Sequence, residues 1–161
     1  LVDYMRKLLP VSCERRDTCI GGLSMGGYGA LVNGLRYPDT FGFIISLSGA
    51  LFLEKLLRED TEESLSRRKK FDALLGTYEE LRKTDADYAN LLERILQSER
   101  RNVPAIYLAC GTDDFWYRAS RDFSDYLKQM GVEHVFTETK ADHEWNFWNA
   151  YIEKAIHWFA Q

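Results

Sequence analysis

No run of apolar residues in this chain approaches the ~20 needed to span a bilayer. The longest, such as Phe43-Ile44-Ile45, are strand-sized, so no membrane role is expected. There is no excess of positive charge: 21 Lys and Arg stand against 25 Asp and Glu, a net charge of −4. Nucleic-acid backbones need clustered cations, so no nucleic-acid partner is expected. Cysteine is scarce. Cys13, Cys19 and Cys110 are an odd set with neither CxxC nor zinc spacing, which argues against a disulfide framework and against a metal site. Cys19 and Cys110 sit in apolar runs, where a free thiol serves as a small buried hydrophobe, and a reducing, cytoplasmic setting is the expectation. The chain starts at Leu1 and shows no basic segment leading into an apolar one, so no secretory signal is visible.

What remains is enough for a core. The 161 residues are 45% hydrophobic and 14% aromatic, which suits one folded domain and excludes disorder. Residues 2–9 read as the end of an amphipathic helix stopped by Pro10, with Val2, Met5, Leu8 and Leu9 on one side. Short apolar runs at 18–23, 43–47, 105–110 and 134–139 read as buried strands, and helical patterns follow at 30–37, 118–130 and 147–159. In the last helix Trp148, Ile152, Ala155, Ile156 and Phe159 recur at three- and four-residue steps, predicting one buried face. Strands alternating with helices give an α/β fold with a mostly parallel sheet.

The segment 51–102 differs. It carries 11 Lys/Arg and 12 Asp/Glu, half of the chain's charged residues. Leu53, Leu56, Leu57, Phe71, Leu74, Leu75, Leu91, Leu92, Ile95 and Leu96 keep helical spacing within it. It reads as a charged helical insertion between the second and third strands: a solvated excursion on the plain reading, a lid over a pocket on the sharper one.

The chemistry is carried by Gly22-Leu23-Ser24-Met25-Gly26, which matches the nucleophile elbow G-x-S-x-G with a strand leading in and a helix leading out. A sharp strand-to-helix turn lifts the serine hydroxyl clear of the sheet. Side chains at 22 and 26 are expected to collide in such a turn, which explains the glycines. The N–H of Met25, at the positive end of the helix, can donate to a developing oxyanion. A serine hydroxyl needs a base, and the base an orienting acid. Of three histidines, His157 lies in the last helix beside core positions and His134 opens a strand. His143 follows the fourth strand, in Lys140-Ala141-Asp142-His143-Glu144-Trp145. Parallel sheets place their sites at the carboxyl ends of the strands, which selects His143. Asp113 and Asp114 follow the third strand directly, and spacing alone allows either as the acid.

Taken together, Gly21 to Ala30, then Tyr37-Pro38-Asp39-Thr40-Phe41, then Leu47-Ser48-Gly49-Ala50 resemble the esterase D family of α/β-hydrolases. That family includes acetyl esterases of the tributyrin type, S-formylglutathione hydrolases, feruloyl esterases and the antigen 85 mycolyltransferases. Gly111-Thr112-Asp113-Asp114-Phe115 resembles its acid motif, whose second acidic position implies Asp114. His143-Glu144-Trp145 with Phe147-Trp148 is similar to its histidine motif. Where the family usually has glycine just before the histidine, this chain has Ala141 and Asp142; the extra carboxylate either raises the proton affinity of the base or faces solvent.

The resemblance implies a serine carboxylesterase of short-acyl esters, acetylated or feruloylated carbohydrates among them, using Ser24, Asp114 and His143 with no metal or organic cofactor. A thioesterase of the S-formylglutathione type is the alternative, and a non-catalytic binding module or inactive fragment is the alternative of another class. Phe115, Trp116 and Trp145 adjoin the acid and base, as walls of a substrate pocket or as ordinary core. Only 23 residues precede Ser24, fewer than the resemblance implies. The chain is therefore expected to be the C-terminal part of one α/β-hydrolase domain, lacking the first strands and the loop that gives the second oxyanion donor. A missing N-terminal segment or a complementing chain would cover the strand at 18–23, and oligomerisation is left open.

Overall fold

The computed structural model describes residues 1–51, 69, 73, 76–98 and 102–161. The elements run α1 (Val2–Leu8), β1 (Cys19–Leu23), α2 (Met25–Arg36), β2 (Phe43–Leu47), α3 (Tyr78–Leu81), α4 (Tyr88–Gln97), β3 (Ala105–Gly111), α5 (Tyr117–Gln129), β4 (His134–Thr139) and α6 (Trp145–Phe159). The four strands form one parallel sheet in the order β1-β2-β3-β4. In register, Leu23 lies beside Leu47 and Leu47 beside Ala109, so the ends of β1, β2 and β3 emerge together.

Alternation along the two central strands builds two cores. Ile44, Ile106 and Leu108 face one way, against Leu31 and Leu35 of α2, Leu91 and Leu92 of α4, and Phe123 and Leu127 of α5. Ile45, Leu47, Tyr107 and Ala109 face the other way, against Phe147, Trp148, Tyr151 and Ala155 of α6. With helices on both sides, β2 and β3 read as unbroken apolar runs rather than alternating ones. This is the α/β architecture with a parallel sheet expected from the pattern, and it agrees with the α/β-hydrolase fold that the resemblance implies.

β1 pairs only with β2 among the described residues, as expected of a chain lacking the first strands, but the face of α6 nearest to it is not buried as its spacing predicts. Trp148 and Ala155 are covered, but Ile152 is 39% and Ile156 52% exposed. The apolar stripe is wider than the strip that reaches the sheet, so Ile152, Ile156 and Phe159 line an open groove with Cys19, Gly21 and Leu23. α1 likewise forms where the pattern places it but has no buried residue.

Of the charged segment, α4 shows the expected amphipathic helix. Leu91, Leu92 and Ile95 are buried, and Asp87 caps the helix by accepting from the N–H groups of Ala89 and Asn90. The Tyr28 hydroxyl donates to the Ala86 carbonyl at 2.7 Å, fastening α4's approach to α2. Leu53, Leu56, Leu57, Phe71, Leu74 and Leu75, and with them the lid expectation, lie outside the described residues. No helix among the described residues is long and apolar enough to cross a membrane.

Candidate active site

Ser24 stands at the junction of β1 and α2 with φ 53° and ψ −121°, a conformation that costs a non-glycine residue roughly 1–3 kcal/mol. The surrounding backbone holds it there. The Ser24 N–H donates to the Leu47 carbonyl at 2.9 Å, and its carbonyl accepts from Gly27, Tyr28 and Ala50. A Cβ at Gly22 would overlap the Gly26 carbonyl, so glycine at 22 is required by close approach. Gly26 corrects the symmetrical expectation. A Cβ there would meet nothing within 4 Å, because it is the carbonyl of Gly26, not its α-hydrogen, that faces the strand.

The loops after β3 and β4 are stitched to each other. Thr112 N–H donates to the Thr139 carbonyl at 2.8 Å and Asp113 N–H to the Ala141 carbonyl at 3.0 Å. The approach is so close that a Cβ on Gly111 would overlap the Ala141 carbonyl. This junction brings Asp114 to His143: Oδ2 lies 2.9 Å from Nδ1. Oδ1 accepts from the Trp116 N–H at 2.8 Å, so the buried carboxylate has both oxygens engaged. His143 Nε2 lies 3.1 Å from Ser24 Oγ. Because a carboxylate only accepts, Nδ1 carries the ring proton, leaving Nε2 free to accept from the serine hydroxyl.

The structure thus brings Ser24, His143 and Asp114 together and leaves Asp113 exposed in the loop. Asp142 is also exposed, and its Oδ1 accepts the backbone N–H of His143 at 2.7 Å, so it shapes the loop rather than facing the imidazole. His134 is bonded through Nδ1 to the Val132 carbonyl and through Nε2 to Ser124. His157, expected beside core residues, is exposed on α6. The Met25 N–H opens α2 directly after Ser24.

The aromatic residues divide. Phe115 lies over the imidazole, ring centres 4.5 Å apart, and is 49% exposed. Trp145 is exposed at the start of α6 and meets Trp148 edge-on at 5.2 Å. Trp116 instead packs against the core beside α2, α4 and α5. Three neighbours of the site figured in the sequence only as motif or core positions, with no role at the site assigned to them. Trp148 meets His143 edge to face at 4.8 Å. Ser48 accepts from the Trp148 indole N–H at 3.0 Å. Cys110 is buried, and its thiol contacts Asp114, Ser48 and Ser120; burial pushes it up to about 12, with the Asp114 charge adding to the rise. An abrupt Ser-Gly pair ending a buried strand was the available signal for Ser48.

The sequence profile of the Esterase family matches residues 1–159. The chain belongs to the esterase family. Within it, an acetyl esterase of Caldicellulosiruptor saccharolyticus is 38% identical over 163 residues, covering 100% of this chain and 61% of that protein. The fluorophosphonate-binding serine hydrolase FphF of Staphylococcus aureus superposes with a TM-score of 0.81 at 29% identity, covering 99% of this chain and 60% of that one. The S-formylglutathione hydrolase FrmB of the same organism gives 0.79 at 28%, covering 99% and 61%. The chain therefore spans about three-fifths of the length of these esterase-family relatives. The esterase D resemblance read from the sequence is borne out at the level of family and fold.

Proposed function

We propose that this chain carries the catalytic triad of a serine carboxylesterase acting on short-acyl esters. The observation that supports the reading is the chain of contacts from Ser24 Oγ to His143 Nε2 at 3.1 Å and from His143 Nδ1 to Asp114 Oδ2 at 2.9 Å, built on a strained elbow. In this reading Ser24 Oγ attacks the acyl carbon while His143 Nε2 takes its proton. Asp114 holds the imidazole in the tautomer that can accept and stabilises the imidazolium that forms. The carbonyl oxygen, now negative, is met by the Met25 N–H and the positive end of α2. His143 then protonates the departing alkoxide. A water molecule, deprotonated by the same nitrogen, releases the acid from the acyl-enzyme. Phe115 and Trp145 stand as walls for the acyl or alcohol group.

The short-acyl preference draws on the 38% identity to an acetyl esterase. A thioesterase acting on S-formylglutathione is the second reading, favoured by the likeness to FrmB, an S-formylglutathione hydrolase, at 28% identity. The same triad would serve it, since only the leaving group changes from alkoxide to thiolate. Comparing turnover of p-nitrophenyl acetate, a feruloyl ester and S-formylglutathione in the full-length protein separates the two. A fluorophosphonate probe tests the chemistry itself. Labelling at Ser24 that vanishes in Ser24→Ala is expected; an unlabelled wild-type protein would leave a non-catalytic binding module as the better description.

A further inference from the structure

Among the described residues, two that are not glycine adopt positive φ: Ser24 at 53° and Ser48 at 47°. Glycine occupies that region without steric penalty, so a serine there points to a use for its hydroxyl. Ser48 follows β2 directly, is fully buried, and is held by its N–H donating to the Ala109 carbonyl at 2.7 Å. Its Oγ accepts from the Trp148 indole N–H at 3.0 Å across 100 residues of sequence. The Trp148 ring stands at 88° to the His143 imidazole with centres 4.8 Å apart, while Phe115 covers the ring at 4.5 Å and 40°.

Two hydrogen bonds at Nδ1 and Nε2 fix the ends of an imidazole but leave it free to rock about the line joining them. Rings packed on its flanks remove that freedom. Phe115 is set by the loop that also carries Asp114. Trp148 is packed in the second core, and its bond to Ser48 sets which way the indole faces within that packing.

We propose that Ser48 is a positioning residue for the hydrolytic reaction: it locks the Trp148 indole, and the locked indole holds the plane of His143 in line with Ser24 and Asp114. The inference rests on the triad reading above. Ser48 touches neither substrate nor the reacting atoms; it acts through Trp148.

The test uses Ser48→Gly, which suits the observed φ, together with Trp148→Phe and the double variant, all in the full-length protein. Ester turnover should fall about ten- to a hundredfold in kcat, the scale of a small misalignment at a reacting centre, with KM nearly unchanged. The double variant should lose no more than the worse single one, because both remove the same bond. The downfield proton resonance of His143 Nδ1–H, sharp in the wild type, should broaden in Ser48→Gly. Full kcat with a sharp resonance in Ser48→Gly would overturn the proposal, as would losses that multiply in the double variant or a lower kcat with the resonance unchanged. If Trp148→Phe fails to fold, Ser48→Gly with its resonance decides alone. Ser24→Ala separates the two readings. If it is inactive while Ser48→Gly is fully active, only the positioning role fails; if it remains active, the triad reading fails and this one with it.

Discussion

Asp113 and Asp114 share one chemistry and one loop, and only their surroundings distinguish them. Asp114 is buried, with one oxygen on the Trp116 N–H and the other 2.9 Å from His143 Nδ1; Asp113 points to water. Spacing along the chain could not choose between them, because a one-residue offset in a loop carries no periodicity. The family resemblance favoured the second, and burial is the physical difference that agrees with it. Asp114→Asn keeps the shape but sets an amide N–H donor against Nδ1, which forces the ring proton onto Nε2, and Nε2 can then no longer accept from Ser24. Turnover of p-nitrophenyl acetate should then fall by about four orders of magnitude, the scale seen when such a base is held in the wrong tautomer. Asp113→Asn should change it by less than about threefold, as exposed positions away from the reacting groups do. The reverse pattern would assign the acid to the other carboxylate. Asp142 shows the converse limit of reading a sequence. Its position beside His143 left open an electrostatic effect on the base or a carboxylate facing solvent; it is exposed, and its oxygen binds the backbone N–H of His143, a local loop contact that residue order alone does not reveal.

At the scale of elements, the turn between β1 and α2 was legible in kind but not in detail. The motif marks both Gly22 and Gly26, and the structure gives them different reasons. A Cβ at 22 would overlap the Gly26 carbonyl, whereas a Cβ at 26 enters open space. Gly22→Ala should therefore lower stability by about 1–3 kcal/mol through overpacking and reduce labelling of Ser24 by a fluorophosphonate. Gly26→Ala, inside a helix, should be neutral or stabilising by up to about 1 kcal/mol. Urea unfolding and probe labelling of the two variants check this, and equal losses would contradict it. Strands β2 and β3 could be read from composition because both of their faces are buried, so apolar content alone marks them. The burial of α6 could not be read as well. Helical spacing gives the direction of an apolar stripe but not how much of it the sheet covers, and Ile152 and Ile156 fall beyond the edge at β1. The bond between Ser48 and Trp148 spans 100 residues, a pairing that no local pattern encodes.

Across the whole molecule, the groups most displaced from ordinary ionisation lie in or beside the two cores, and all are displaced in the same direction. Burial pushes the Cys19 thiol from 9.0 to about 11 and the Cys110 thiol from 9.0 to about 12. The Tyr28 hydroxyl goes from 10.0 to about 12, through burial first and the Asp87 charge second. Each fold-state value is raised, so the folded chain retains protons that the unfolded chain sheds. Stability from these groups is complete below pH 9, declines as pH climbs, and is lost once pH passes 11 to 12. Urea midpoints measured from pH 7 to 11 should be level with respect to these groups up to about pH 8.5, the ordinary thiol range, and fall steadily above it. Replacing Cys110 by alanine should flatten part of that fall. Thiol chemistry gives an independent reading of the same arrangement. Exposed Cys13 should react at once with a maleimide at pH 7.5, while buried Cys110 should react only when the chain is unfolded. Cys19, half-buried on the open side of β1, should react at an intermediate rate, because partial access is opposed by a thiolate that its surroundings disfavour. Equal rates at the three cysteines, or an alkaline profile that rises above pH 9, would mean that the two cores do not exclude water as described.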